Sequence, residues 1–182
     1  ASLRTPAVSS AAIMITNLDR SPVLVVIAVL VTARTALSTG RIGRSVIMLL
    51  GLATVAGTVV LLKAAIARPR PPTALLVNGP TWDYAFPSGH TADGTVTWVL
   101  ATILLTVGLD RRIRGIAMIG ACLVCAAIGL SRVYLGYHWV TDVISGWLIA
   151  ITVICLMLQL GRQIDAFALI DGSGDTGGSW QR

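Results

Sequence analysis

The chain has 182 residues, with 14 Lys+Arg against 8 Asp+Glu and a formal net charge of +6. Hydrophobic residues make up 55% and charged residues 12%, the latter about half the ~25% of ordinary soluble domains. A soluble domain of this size leaves roughly 30% of its unfolded-chain surface exposed, so it could not hide this much apolar area. Disorder, a collagen-like chain and a disulfide-stapled mini-domain are excluded on the same grounds. The expectation is an all-α, polytopic transmembrane helix bundle surrounded by lipid, with no nucleic-acid partner.

A bilayer core ~30 Å thick takes about 20 helical residues to cross. In chain order, residues 7–16 are apolar but too short to span, and predict an interfacial or re-entrant helix. Five spans follow. Residues 23–37 are the weakest, because their apolar part ends at Ala33 and Arg34 must snorkel. Residues 45–66 carry Lys63 in their last turn. Residues 89–108 open after Pro87 and Ser88, a helix-start signal. Residues 115–133 and 139–160 complete the set. The Gly/Ser/Asp-rich stretch 171–182 predicts a flexible end. The expected division is a membrane-embedded domain over 1–165 and a C-terminal tail over 166–182. Cys122 and Cys125 form a CxxC with no histidine or second CxxC beside it, so they are expected to pack as small buried hydrophobes.

Loop charges orient the bundle. Arg34, Arg41 and Arg44 flank one turn, Arg111, Arg112 and Arg114 the next on that side, and Arg162 follows the last span. By the positive-inside rule this face is cytoplasmic. The opposite face then holds the N-terminus, the 67–88 loop and the 134–139 loop, with Trp82, Tyr84, Phe86, Tyr134, Tyr137 and Trp139 as an aromatic belt. An N-terminus outside with five spans predicts either a further helix upstream or a native N-out topology, and no secretory signal peptide is visible.

That outer face collects Lys63, Arg68, Arg70, Asp83, Ser88, His90, Asp93, Arg132, His138 and Asp142. Every acid in the chain is Asp and Lys63 is its single lysine; each charge is costly in so apolar a setting. Snorkelling accounts for Lys63, Arg70 or Arg132 singly, but not for all three together with both histidines. Cations with few acids suit a phosphate or diphosphate, arginine in a planar bidentate fashion. Ser88-Gly89-His90 opens a helix whose unpaired N–H groups bind anions, although Pro-Ser alone is also an ordinary cap. His138 and Asp142, four apart, are expected on one helical face. There the carboxylate would fix the imidazole tautomer and free the other nitrogen to attack.

In order, the chain reads Lys63-(six residues)-Arg70-Pro71, then Pro87-Ser88-Gly89-His90, then Ser131-Arg132-(five residues)-His138-(three residues)-Asp142. This pattern over residues 45–160 resembles the type-2 phosphatidic acid phosphatase superfamily, whose soluble relatives include the vanadium haloperoxidases. The resemblance implies a metal-independent, cofactor-free phosphatase acting through a phosphohistidine. Carried over by position, it makes His138 the nucleophile, Asp142 its orienting partner and His90 the general acid. It also makes Lys63, Arg70, Arg132, Ser88 and Gly89 the phosphate-binding set. Six spans are usual in that family, which again implies a helix upstream. Arg68 lies outside the motifs and is left to contact headgroups. Asp93 reads either as an acid favoured in a first helical turn or as a partner keeping His90 protonated.

The resulting expectation is a multi-pass cell-membrane phosphatase with its site on the extracytoplasmic face. Its candidate substrates are polyprenyl (pyro)phosphate, polyprenyl-phosphosugar phosphate, phosphatidylglycerol phosphate and phosphatidic acid. A lipid-headgroup phosphotransferase is the alternative. A non-catalytic lipid-binding or transport protein would need the cations but not His90 with the His138–Asp142 pair. Oligomeric state is not legible.

Overall fold

The computed structural model describes residues 4–39, 46–77, 79 and 81–173. Six α-helices are described: α1 Pro6–Asn17, α2 Ser21–Thr39, α3 Ile47–Ile66, α4 Gly89–Leu105, α5 Arg111–Tyr134 and α6 Val140–Ser173, with a 3-10 turn at Thr73–Leu75. Local chemistry sets several of their ends. Thr5 accepts from the Val8 N–H at 3.3 Å and Pro6 starts α1, a favoured cap and a favoured first residue. Asp110 caps α5 through Arg112 N–H at 2.7 Å. α3 stops where Ala67 turns left-handed.

Four helical segments are long and apolar enough to cross a membrane: Ser21–Ser38, Ile47–Ile66, Arg111–Tyr134 and Val140–Ile164. The fifth expected span, 89–108, is shorter than its hydropathy suggested. α4 has 17 residues and the chain turns at 106–108, where Gly108 is left-handed. At ~1.5 Å per residue it is about 25 Å long. α4 is nevertheless the hub, packed against α2, α3, α5 and α6. Because its neighbours shield it from lipid, it tolerates Thr91, Thr95 and Thr97 in its buried face, with the Thr95 hydroxyl returned to the Thr91 carbonyl at 2.6 Å.

The main core joins Met48 and Val55 of α3, Val96 and Leu100 of α4, and Ala150 and Val153 of α6. Outward-facing positions carry Leu61, Ile116, Leu123 and Leu148, an apolar coat that a water-facing surface would rarely present. Cys122 and Cys155 belong to this outer face and Cys125 is buried, which corrects the expectation of burial for Cys122.

α1 is a helix of 12 residues, too short to span, as the sequence suggested. It lies against α5, with Ala12 in a small cluster with Leu135 and Tyr137. The Arg4 guanidinium donates to the Leu75 carbonyl at 2.7 Å. The expected boundary at 165/166 falls inside α6, which runs to Ser173; residues 174–182 of the expected tail, and Arg41 and Arg44, lie outside the described residues.

Candidate active site

Six pieces of chain converge at one rim of the bundle. They are the end of α3, the 67–88 loop, the start of α4, the end of α5, the turn before α6 and the first turn of α6. The turn depends on Gly136 at φ 81. A side chain there would strike the Leu75 carbonyl. The turn folds back so that the N–H groups of Tyr137 and His138 reach the Arg132 carbonyl at 3.0 and 3.3 Å. His138 therefore precedes α6 rather than sharing a helical face with Asp142.

The His138 ring is buried, with Nδ1 2.8 Å from the Ala85 carbonyl. A carbonyl only accepts, so Nδ1 carries the hydrogen and Nε2 keeps its lone pair. Asp142 Oδ2 is 3.5 Å from Nδ1, a second and weaker orienting contact. Nε2 faces the Arg70 guanidinium, with Nη1 at 3.3 Å. Burial pushes the His138 imidazole down, Asp142 offsets part of this, and Arg70, Arg132 and Lys63 add to it, leaving it at about 4. The ring is neutral at neutral pH.

Asp142 is fully buried and heavily used. Its Oδ1 accepts from Arg68 Nη1 at 2.8 Å and its Oδ2 from the Trp139 N–H at 2.9 Å. The latter is the reach-back of a capping box. Arg68 also donates to Thr141 Oγ1 at 2.6 Å and lies over the Trp139 ring at 5.7 Å. Arg68 thus anchors the Asp142 carboxylate, a role spacing alone did not reveal.

Lys63 and Arg70 meet at Asp83. Lys63 Nζ donates to Asp83 Oδ2 at 2.8 Å and to the Tyr84 carbonyl. Arg70 donates through Nη2 to Asp83 Oδ1 at 2.5 Å, through Nε to the Asp83 carbonyl at 2.8 Å, and through Nη1 to the Tyr137 carbonyl at 2.6 Å. Burial alone would raise the Asp83 carboxyl, but hydrogen bonds from Lys63 and Arg70 outweigh it and hold it at about 2. Its two oxygens sit between two cations, one of which also reaches His138.

Arg132 is 5% exposed. It donates from Nη1 to Thr16 Oγ1 of α1 at 3.0 Å and stacks over the Tyr137 ring at 4.2 Å. Ser88 is fully buried and caps α4, its Oγ accepting from the Thr91 N–H at 3.5 Å and hydroxyl at 2.9 Å. Its own N–H donates to the Asp142 carbonyl at 3.0 Å. This close approach needs Gly146, since a Cβ there would lie 2.9 Å from the Ser88 carbonyl. Gly89 sits in the first turn of α4, whose N–H groups have no intrahelical acceptor. A Cβ on it would approach Val59 at 3.3 Å.

His90 is half-buried and lines a cavity of about 190 Å³ with Arg132 and Thr16. Among the described residues no hydrogen bond joins it to Asp93, whose Oδ1 is buried without a partner. The structure thus gathers Lys63, Arg70 and His138 directly, with Asp142 behind the ring and His90 and Arg132 on an adjoining wall. Among the described residues, no three His, Cys, Asp or Glu side chains are grouped to hold a metal.

Residues 44–165 match the family model described as the PAP2 superfamily. The chain is 39% identical over 127 residues to an undecaprenyl-diphosphatase of Sulfolobus acidocaldarius, covering 67% of this chain and 56% of that protein. It is 32% identical over 108 residues to phosphatidylglycerophosphatase B of Bacillus subtilis, covering 58% and 52%. The chain spans about half the length of these curated relatives. A crystal structure of a transmembrane PAP2 type phosphatidylglycerolphosphate phosphatase from Bacillus subtilis superposes with TM-score 0.81 at 26% identity, over 88% of this chain and 80% of that one.

Proposed function

The chain belongs to the PAP2 superfamily, and from that premise we propose that it is a membrane lipid phosphatase working through a phosphohistidine at His138. The observation that carries the proposal is the His138 geometry: Nδ1–H is committed to the Ala85 carbonyl at 2.8 Å, and the Nε2 lone pair accepts from Arg70 Nη1 at 3.3 Å, a donor that a bound phosphate would draw away. A neutral imidazole oriented in this way is ready to attack phosphorus without first losing a proton.

In this reading the phosphate displaces Asp83 from Lys63 and Arg70. These cations, Arg132 and the Gly89 N–H then hold its non-bridging oxygens, the preorganised electrostatic role that phosphoryl transfer requires. Ser88, buried as the α4 cap, positions that helix terminus. Nε2 attacks in line, the P–O bond to the leaving oxygen breaks, and His90 supplies that oxygen's proton. Asp142 and Ala85 hold the ring as it becomes a phosphorylated cation. Water then gives a proton back to His90 and attacks phosphorus, and the Nε2–P bond breaks, releasing phosphate and restoring both histidines. No step needs a metal ion or cofactor.

A rim location lets a lipid keep its tails in the bilayer while its headgroup reaches the cations. Names of similar proteins point to polyprenyl diphosphates and phosphatidylglycerol phosphate as substrates, and the cation set suits either. We further propose that α4 is a fifth crossing and that the site faces the extracytoplasmic side. The test is phosphate release by purified protein from a panel of these lipids in detergent. Activity that survives exhaustive EDTA treatment and is inhibited by vanadate is expected. A chelator-sensitive activity restored by Mg²⁺ would contradict the reading, since Mg²⁺ is usually bound through carboxylates plus substrate phosphates.

A further inference from the structure

The cavity beside His90 has polar groups that the reaction above does not use. It measures about 190 Å³ and is lined by Asn17 and Arg20 from the α1–α2 junction, Thr81 from the long loop, and His90 and Arg132. Thr81 Oγ1 and Arg132 Nε are buried with no hydrogen-bond partner. Arg20 is exposed and enters no ion pair among the described residues. Unpaired buried donors are costly, so this wall lacks an acceptor. Nearby Asp19 is not that acceptor: both its oxygens are unbonded, and burial with Asp93 repulsion outweighs Arg132 and holds it protonated up to about pH 9.

The position of the cavity fixes which part of a substrate could supply the acceptor. In-line transfer puts the leaving oxygen opposite the attacking Nε2. His138 does not line the cavity, whereas His90, the proposed proton donor to that oxygen, does. Whatever is bonded to the leaving oxygen therefore lies here. A lipid monophosphate would put carbon at this point and leave Thr81 Oγ1 and Arg132 Nε unanswered. A second phosphate would answer both and give the exposed Arg20 a counter-charge.

We propose that Arg20 and Thr81, with Asn17 and Arg132, form a leaving-group subsite for the inner phosphate of a lipid diphosphate. The inference rests on the phosphatase reading and narrows its substrate class. The outer phosphorus bonds to Nε2 as its bond to the bridging oxygen breaks. That oxygen departs with the electron pair on the inner phosphate, takes the His90 proton, and leaves as a lipid monophosphate. Arg20 offsets the charge gathering on the inner phosphate.

The test is phosphate release from geranylgeranyl diphosphate and geranylgeranyl monophosphate in the same detergent. Wild type should favour the diphosphate. Arg20→Gln should lose about tenfold to a hundredfold in kcat/KM on the diphosphate, as loss of one charge-assisted hydrogen bond does. It should stay within about twofold on the monophosphate, and that activity also certifies folding. Arg20→Lys should recover most of the loss, and Thr81→Val should lose less than Arg20→Gln on the same substrate. Equal losses on both lipids, or none on either, would overturn the subsite while leaving the phosphatase reading intact. Wild-type silence on both lipids would overturn the subsite, and only silence on the whole lipid panel would overturn the phosphatase reading as well.

Discussion

The two rims of the bundle use the same side chain in opposite ways. At one rim, Arg111, Arg112, Arg114 and Arg162 are exposed. At the other, Arg68, Arg70 and Arg132 are buried or half-buried, and each is held by several partners: Asp142 and Thr141 for Arg68, Asp83 and the Tyr137 carbonyl for Arg70, Thr16 and the Tyr137 ring for Arg132. Exposed arginines near a bilayer set orientation through net charge and need no geometry. Arginines withdrawn from water need fixed partners, and those partners also aim them. The contrast gives one rim exposed, unaimed charge and the other a set of fixed, aimed cations.

The first prediction separates the rims in space. Trp82 is 94% exposed in the site loop, and Gly108 lies in the turn before α5. With native cysteines replaced, Trp82→Cys in intact cells should react with a membrane-impermeant thiol reagent and Gly108→Cys should not. The reverse pattern would put the site at the cytoplasmic leaflet.

The next prediction separates the rims in chemistry. Asp142→Asn should cost roughly a hundredfold to a thousandfold in kcat. That is less than the ~10⁴ seen when the carboxylate is a histidine's main orienter, because here the Ala85 carbonyl holds Nδ1 at 2.8 Å against 3.5 Å for Asp142. Arg68→Gln should cost about tenfold by freeing Asp142 from a charge-assisted bond. Arg114→Gln, on the exposed rim, should stay within about twofold of wild type. Equal losses for Arg68→Gln and Arg114→Gln, measured on matched detergent preparations, would erase the distinction.

These contrasts show what the sequence made legible. Hydropathy located the membrane helices, and the spacing of Lys63, Arg70, His90, Arg132, His138 and Asp142 picked residues that the fold brings to one rim. Less legible was anything that depends on how distant backbone segments meet. The Ala85 carbonyl is invisible because a carbonyl has no residue signature. Arg68 was passed over because its partner Asp142 lies 74 residues away. α4 is shorter than its apolar run because the left-handed Gly108 turn ends it early, a glycine signal that could have been read. Asp83, an acid in a loop rich in cations, was visible on the same face but not as the anion joining Lys63 to Arg70.

A smaller effect is expected behind the site. Asp19 packs against Gly94, where any side chain would strike its carboxylate. Burial first, then Asp93, raise its carboxyl from 3.8 to about 9 against the opposing pull of Arg132. A carboxyl raised in the folded state contributes stability that is present below about pH 3.8 and lost as pH rises through about 9. Asp19→Asn removes that loss. It should melt above wild type near pH 8.5 and show no such gain near pH 4. A variant less stable than wild type at both pH values would assign Asp19 a charged, paired role instead.

The central claim is that phosphorus passes through His138, and trapping tests it most directly. Rapidly mixing enzyme with a lipid phosphate labelled with ³²P, then quenching in base, should leave label on the protein. Peptide mapping should find it at His138, and acid should release it as phosphate. His138→Ala should give no labelled protein and less than about a hundredth of wild-type turnover, since loss of a nucleophile costs far more than that. Label that persists in His138→Ala, or turnover by wild type with no labelled protein at any quench time, would contradict the account.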